Sequence, residues 1–151
     1  MEELSKETKN ILRETEHIFW DKQQQVSARM YEIMFDKYPE TKDLFNEFRS
    51  HQSNMFGASL MAHVISLEDP EVLNSFRVGI ARRHVKSGVQ EKHYEMLIVS
   101  LFESMEEILG NLIDKEAMEA WKKWIYFLSN LLIEREREHY QGKHLLFPEG
   151  G

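Results

Sequence analysis

Apolar residues recur every three or four positions along almost the whole 151-residue chain, and no stretch alternates as a half-buried strand would. The pattern predicts about seven helices. A first, over 4–22, buries Leu4, Ile11, Ile18 and Phe19. A second, over 24–37, places Val26, Met30, Tyr31, Met34 and Phe35 on one side. A short third lies in "YPETKDLF" (38–45), where Pro39 brings the fixed φ of a first helical position and Phe45 closes the segment. A fourth, over 50–67, carries Gln52, Phe56, Leu60, Met61 and Val64. In "EDP" (68–70), Asp69 can cap and Pro70 can open a fifth helix. That helix presents Val72, Leu73, Phe76 and Ile80, then reaches His84 one turn later, and Gly88 suits its end. The sixth, over 93–109, repeats Tyr94, Leu97, Ile98, Leu101, Phe102, Met105, Ile108 and Leu109. The last runs from about Asp114 to Tyr140, with Trp121, Trp124, Ile125, Leu128 and Leu132 facing inward. The tail "GKHLLFPEGG" has no period. The expectation is one all-α domain over 1–151, with a core over 4–140 and an irregular tail over 141–151.

Composition narrows the function. The chain is 42% hydrophobic and 30% charged, in the range of a soluble globular domain. A formal net charge of -7 leaves no broad basic face for a phosphate backbone, which argues against nucleic acid. No cysteine is present, so disulfides, thiolate ligands and cysteine nucleophiles are excluded. The opening "MEELSKETKN" lacks an apolar signal core, and "WIYFLSNLLI" (124–133) is far short of a membrane span. A cytoplasmic, unanchored protein is expected.

Two residues stand out by phase. Phe76, Ile80 and His84 fall at successive four-residue steps, which puts His84 on the buried face of its helix. Alone, it reads as a core histidine bonded to a carbonyl. A side-chain zinc site needs several convergent ligands, and no HExxH or ExxH pair occurs. One histidine can, however, hold a metal whose other ligands come from a cofactor, as in haem. Glu136 lies in the charge run "LLIEREREHY" (131–140), which by itself reads as a solvated helix end. Yet counting by three and four from Trp121 through Ile125, Leu128 and Leu132 lands on Glu136. A carboxylate on an apolar face needs a partner, and a histidine N–H or tyrosine hydroxyl would serve. Tyr31 and Gln52 are likewise polar residues on apolar faces, each readable as a satisfied core position. Nothing matches a nucleophile elbow, a phosphate-cradling loop or a paired-carboxylate site.

Taken together, these residues resemble a globin, and specifically a single-domain bacterial haemoglobin related to the globin domains of flavohaemoglobins. The segment "ARMYEIMFDKYPETKDLF" (28–45) is similar to that family's second and third helices, with Tyr31 on the distal side, Pro39 opening the short helix and Phe45 against haem. "RHVKSGVQEKHY" (83–94) resembles the proximal signature of a histidine, then "GV", then "HY". The similarity runs over residues 4–140. It implies a globin fold around a pocket for haem b, with His84 as iron ligand and Tyr94 and Glu136 as its proximal partners. Phe45, Phe56, Val89 and Tyr94 become cofactor contacts. The segment between Phe45 and His84 is a few residues shorter than in the relatives, leaving two registers for the distal residues: Gln52 with Phe56, or Met55 with Ser59. The first keeps the stretch from Gln52 to His84 unbroken and is preferred. His51 or His63 is a candidate sixth ligand.

The resemblance also implies function. Tyr31, and Gln52 beside it, would hydrogen-bond a diatomic gas such as oxygen, nitric oxide or carbon monoxide. Reversible oxygen binding is the first expectation, extending to nitric oxide dioxygenation with a separate reductase, since this length has no room for one. The alternative is a gas sensor that signals to a separate partner protein.

Overall fold

The computed structural model describes the backbone over residues 4–45 and 50–140, and the side chains there except at 50–54 and 70. Five α-helices and two 3-10 segments make up the described chain, with no strand among them. They are α1 (Lys6–Lys37), a 3-10 segment (Pro39–Phe45), α2 (Ser50–Ile65), a second 3-10 segment (Pro70–Leu73), α3 (Asn74–Ser87), α4 (Glu91–Leu109) and α5 (Lys115–Tyr140).

The two helices expected before residue 38 are one continuous helix of 32 residues. The joining sequence, Asp21 through Gln25, holds no glycine or proline and is rich in Lys and Gln, so nothing stops propagation. The helix starts where Ser5 caps it: the Ser5 hydroxyl accepts from the Thr8 N–H at 3.1 Å. Asp114 caps α5 in the same way, accepting from the Ala117 N–H at 2.8 Å. α4 starts at Glu91, two residues before the sequence reading placed it. The cause is His93, whose Nδ1 accepts from the Gln90 N–H at 2.8 Å and closes a capping box.

α1 runs through the middle of the molecule and packs on α2, α4 and α5, while α3 packs on α5 rather than α2. The core lies along α1: Phe19 stacks on Trp121 at 4.4 Å, and Trp121 meets Trp124 edge-on at 5.7 Å. The Trp121 indole N–H donates to Thr15 Oγ1 at 2.8 Å, so this large ring is buried without an unpaired donor. Leu12, Met30, Leu101, Met105 and Leu109 are fully buried around it. Leu4, Ile11 and Ile18 only flank this core.

α2 crosses α1 closely because Gly57 has no side chain. A Cβ there would sit 2.0 Å from Gln23 Oε1 and 3.0 Å from Ser27 Oγ. Gln23 could swing away, but Ser27, fully buried on the same helix, would have to give as well. Gly57→Val should therefore push the helices apart and cost about 1–3 kcal/mol. In thermal unfolding that corresponds to a Tm lower by roughly 2–12 °C for a chain of this size. An unchanged Tm would mean that the crossing yields without cost.

Candidate functional site

The helix α5 supplies the anchor of the site. Its stripe from Trp121 through Leu132 ends on Glu136, which is only 4% exposed. Glu136 Oε2 accepts a hydrogen bond from the Tyr94 hydroxyl. His84 Nδ1 lies 3.0 Å from that hydroxyl and 3.4 Å from Glu136 Oε2. The directions follow from the donors available. Tyr94 points its proton at the carboxylate, so both oxygens facing Nδ1 accept, and Nδ1 carries the ring hydrogen. Nε2 then keeps its lone pair. Among the described residues the hydrogen bonds of this ring are confined to Nδ1, and the side chain is 36% exposed. Burial above all, then the charge of Glu136 and the bond to it, holds the Tyr94 pKa well above the usual tyrosine range. Tyr94 stays a neutral donor.

The chain reversal between α3 and α4 brings His84 and Tyr94 together. Gly88 ends α3 with φ 86°, a left-handed conformation that suits glycine. The Val89 N–H donates back to the His84 carbonyl at 2.8 Å, so the turn is fastened to the histidine's own backbone. The end of α5 fastens it from outside. The Tyr140 hydroxyl donates to the Val89 carbonyl at 2.6 Å, and Arg137 grips Glu91 with two hydrogen bonds.

A second group of sequence-selected residues forms an aromatic cluster. Tyr31, 6% exposed, has Phe45 edge-on at 5.4 Å, Phe56 at 6.2 Å and Phe35 at 5.8 Å. These rings come from α1, the first 3-10 segment and α2. Burial pushes the Tyr31 pKa well up, so its hydroxyl keeps its proton. Phe56 is the member from the preferred distal register, while Met55 is 59% exposed and Ser59 half-buried. The side chains of Gln52 and His51 lie outside the described residues. His63 directs its Nδ1 to the Ser59 carbonyl at 2.8 Å and meets the Phe76 ring at 5.9 Å.

One phase needs correction. The Phe76–Ile80–His84 face of α3 is not the buried one. Phe76 is 44% exposed, and the buried residues are Arg77, Val78 and Ala81. α3 turns that second face toward α5, while Phe76 meets His63 of α2 and His84 reaches Tyr94 and Glu136. Val72, expected inside, is exposed as well. Among the described residues no group of three His, Asp or Glu could hold a bare metal ion, so the lone imidazole is the metal-type donor of the site.

The family model for globins matches residues 28–130, from just before Tyr31 to the last third of α5. The chain belongs to the globin family. An uncharacterised globin-like protein of Aquifex aeolicus is 31% identical to this globin over 137 residues, which are 91% of this chain and 97% of that one. The flavohemoprotein of Rhizobium meliloti is 28% identical over 141 residues, 91% of this chain but 35% of its own length. This globin thus spans about a third of the flavohemoproteins it matches. Among solved structures, an engineered carbene transferase derived from a candidate nitric oxide dioxygenase of Rhodothermus marinus has a TM-score of 0.85 at 29% identity, covering 91% of this chain and 96% of that one. A Campylobacter jejuni globin shares the fold, with a TM-score of 0.82 at 24% identity over 91% of this chain and 99% of that one.

The sequence reading missed the clamp at the end of α5. Arg137 and Glu91 read as members of charge runs, and only the chain reversal at Gly88 sets them opposite each other. Arg77 was missed too, because a charged residue is not expected on a buried face.

Proposed function

We propose that this globin holds haem through His84 and binds a diatomic gas on the side of Tyr31. The observation that carries the reading is the His84–Tyr94–Glu136 constellation. An imidazole held by Nδ1, left with a lone pair on Nε2 and part of a side chain 36% exposed, fits a cofactor metal. Phe45, Phe56 and Val89 would contact the cofactor. Haem iron, when bound, supplies the position where a gas coordinates and the electron density that activates oxygen. The rest falls to the chain. Glu136 and Tyr94 orient the imidazole and raise its basicity, and Tyr31 offers a hydroxyl proton inside an aromatic wall that excludes water.

Reversible oxygen binding is the first activity, in a soluble globin. Nitric oxide dioxygenation extends it: nitric oxide, oxygen and one electron give nitrate, so a reductase must return an electron each turn. Similarity to flavohemoproteins supports this reading. The second reading is a gas sensor, favoured by the bond from Tyr140 to the carbonyl of Val89, which links the proximal turn to the end of α5. Nitric oxide consumption with a generic reductase separates the two, since a sensor would show none. For haem b itself, the test is the visible spectrum of ferric, ferrous and carbon monoxide-treated protein. Absence of a Soret band after reconstitution would overturn the proposal.

The proximal role of Glu136 has its own readout. Glu136→Gln replaces a charged acceptor with a weaker neutral one. The iron–histidine stretching band of the ferrous protein should move to lower frequency. A band that stays in place would reduce Glu136 to a buried structural group.

A further inference from the structure

A cavity of about 230 Å³ lies apart from both groups described above, between the start of α1, the end of α2, the start of α3 and the middle of α5. No residue of the His84 constellation or the Tyr31 cluster lines it. Its walls are apolar where Leu67, Leu73, Trp124 and Leu128 meet, and its polar side chains include His63 and Arg77.

His63 is 7% exposed, and its bonding is half complete. Nδ1 donates to the Ser59 carbonyl at 2.8 Å, which makes Nε2 the lone-pair nitrogen of a neutral ring. Nε2 is buried and meets no hydrogen-bond partner among the described residues. A buried acceptor left in that state is costly, and a ligand that donates a proton to it recovers the cost. Arg77, only 6% exposed, brings the positive charge of a guanidinium to the same cavity. The cavity is far larger than the ~30 Å³ share of one water, and most of its wall gives water nothing to bond.

We propose that this cavity binds a small monocarboxylate with an apolar body, its head between His63 and Arg77 and its tail along Trp124 and Leu128. One proton comes in with the ligand and sits between Nε2 and a carboxylate oxygen; Arg77 holds the other oxygen. No bond to carbon forms or breaks. The charges around His63 favour an anion. α1 contributes Lys9, and α3 contributes Arg77, which feels the charges of Glu71 and of Arg135 on α5. Glu68 at the rim is already paired with Arg13 at 2.8 Å. The α5 wall carries Trp124, Phe127, Leu128 and Leu131 and no charge. Burial, with the nearby Arg77 charge, depresses the His63 pKa and outweighs the Ser59 bond that raises it, so the free protein has a neutral ring at pH 7. The complex therefore carries one more proton than free protein and ligand, and binding tightens as pH falls.

The experiment is calorimetric titration of the full chain with butyrate and, separately, with nitrate, at pH 8 and pH 6, with the visible spectrum recorded alongside. Saturable butyrate binding is expected, tightening toward pH 6 by up to roughly tenfold per unit. Nitrate, with no apolar body, should bind at least about tenfold more weakly, in line with the ~0.8 kcal/mol contributed by each buried methylene. Arg77→Met should abolish binding, and His63→Phe should weaken it and remove its pH dependence. The haem spectrum should not move. Absence of butyrate binding at either pH, equal affinity for nitrate, an unchanged affinity in both variants, or a spectral shift that tracks the binding would each overturn the proposal.

Discussion

Replacing His84 with Ala is expected to strip the protein of haem, and added imidazole to restore it. The His84 ring is held through Nδ1 by Tyr94 and Glu136, which leaves Nε2 as its lone-pair donor. Its loss should weaken haem binding by more than the roughly 10–100-fold that follows loss of a partner behind a metal ligand. Free imidazole, small enough for the emptied space, would find Tyr94 and Glu136 still in place to accept its N–H. The measurement is haem titration by absorption, with and without imidazole. A variant with the wild-type spectrum in the absence of imidazole would assign the iron to another residue.

Tyr31→Phe should release oxygen far faster than the parent while leaving carbon monoxide release nearly unchanged. The substitution keeps the ring among Phe35, Phe45 and Phe56 and removes only the hydroxyl. A hydrogen bond to a partly charged acceptor contributes about 1.5–3 kcal/mol. At about 1.4 kcal/mol per decade, losing it speeds oxygen dissociation by roughly ten- to a hundredfold. Carbon monoxide is much less polar and gains little from the same donor. Stopped-flow dissociation of both gases reads the difference. Equal acceleration of the two would show that Tyr31 acts through shape alone, and no change in either would put its hydroxyl outside the pocket.

How much of this was visible in the chain varies from helix to helix. α5 was legible because it has one apolar face: the count from Trp121 reaches Glu136, and the structure buries that carboxylate against Tyr94 and His84. α3 was harder because two of its faces carry apolar residues. Periodicity selected Phe76, Ile80 and His84, the larger set, while packing against α5 buried the smaller Val78 and Ala81 together with Arg77. Periodicity counts greasy positions and cannot tell a core from the wall of a cleft. The join within α1 failed for a different reason, since the shift of the apolar stripe between Phe19 and Val26 looks like a break but needs none. His63 was legible only as a candidate sixth ligand, and the cavity beside it depends on where α3 and α5 come to lie.

The unbroken run of α1 makes it a lever. Phe19, locked against Trp121, and Tyr31, at the aromatic cluster, stand twelve residues apart on one rigid rod, a separation of about 18 Å. A tilt of ~5° about Phe19 carries Tyr31 sideways by roughly 1.5 Å at that arm length, enough to break a hydrogen bond. On the role proposed for Tyr31, tryptophan packing near the middle of the helix would set part of the time for which a gas molecule is retained. Substitutions at Phe19 or Trp121, remote from any gas, would be felt as changes in how quickly it escapes.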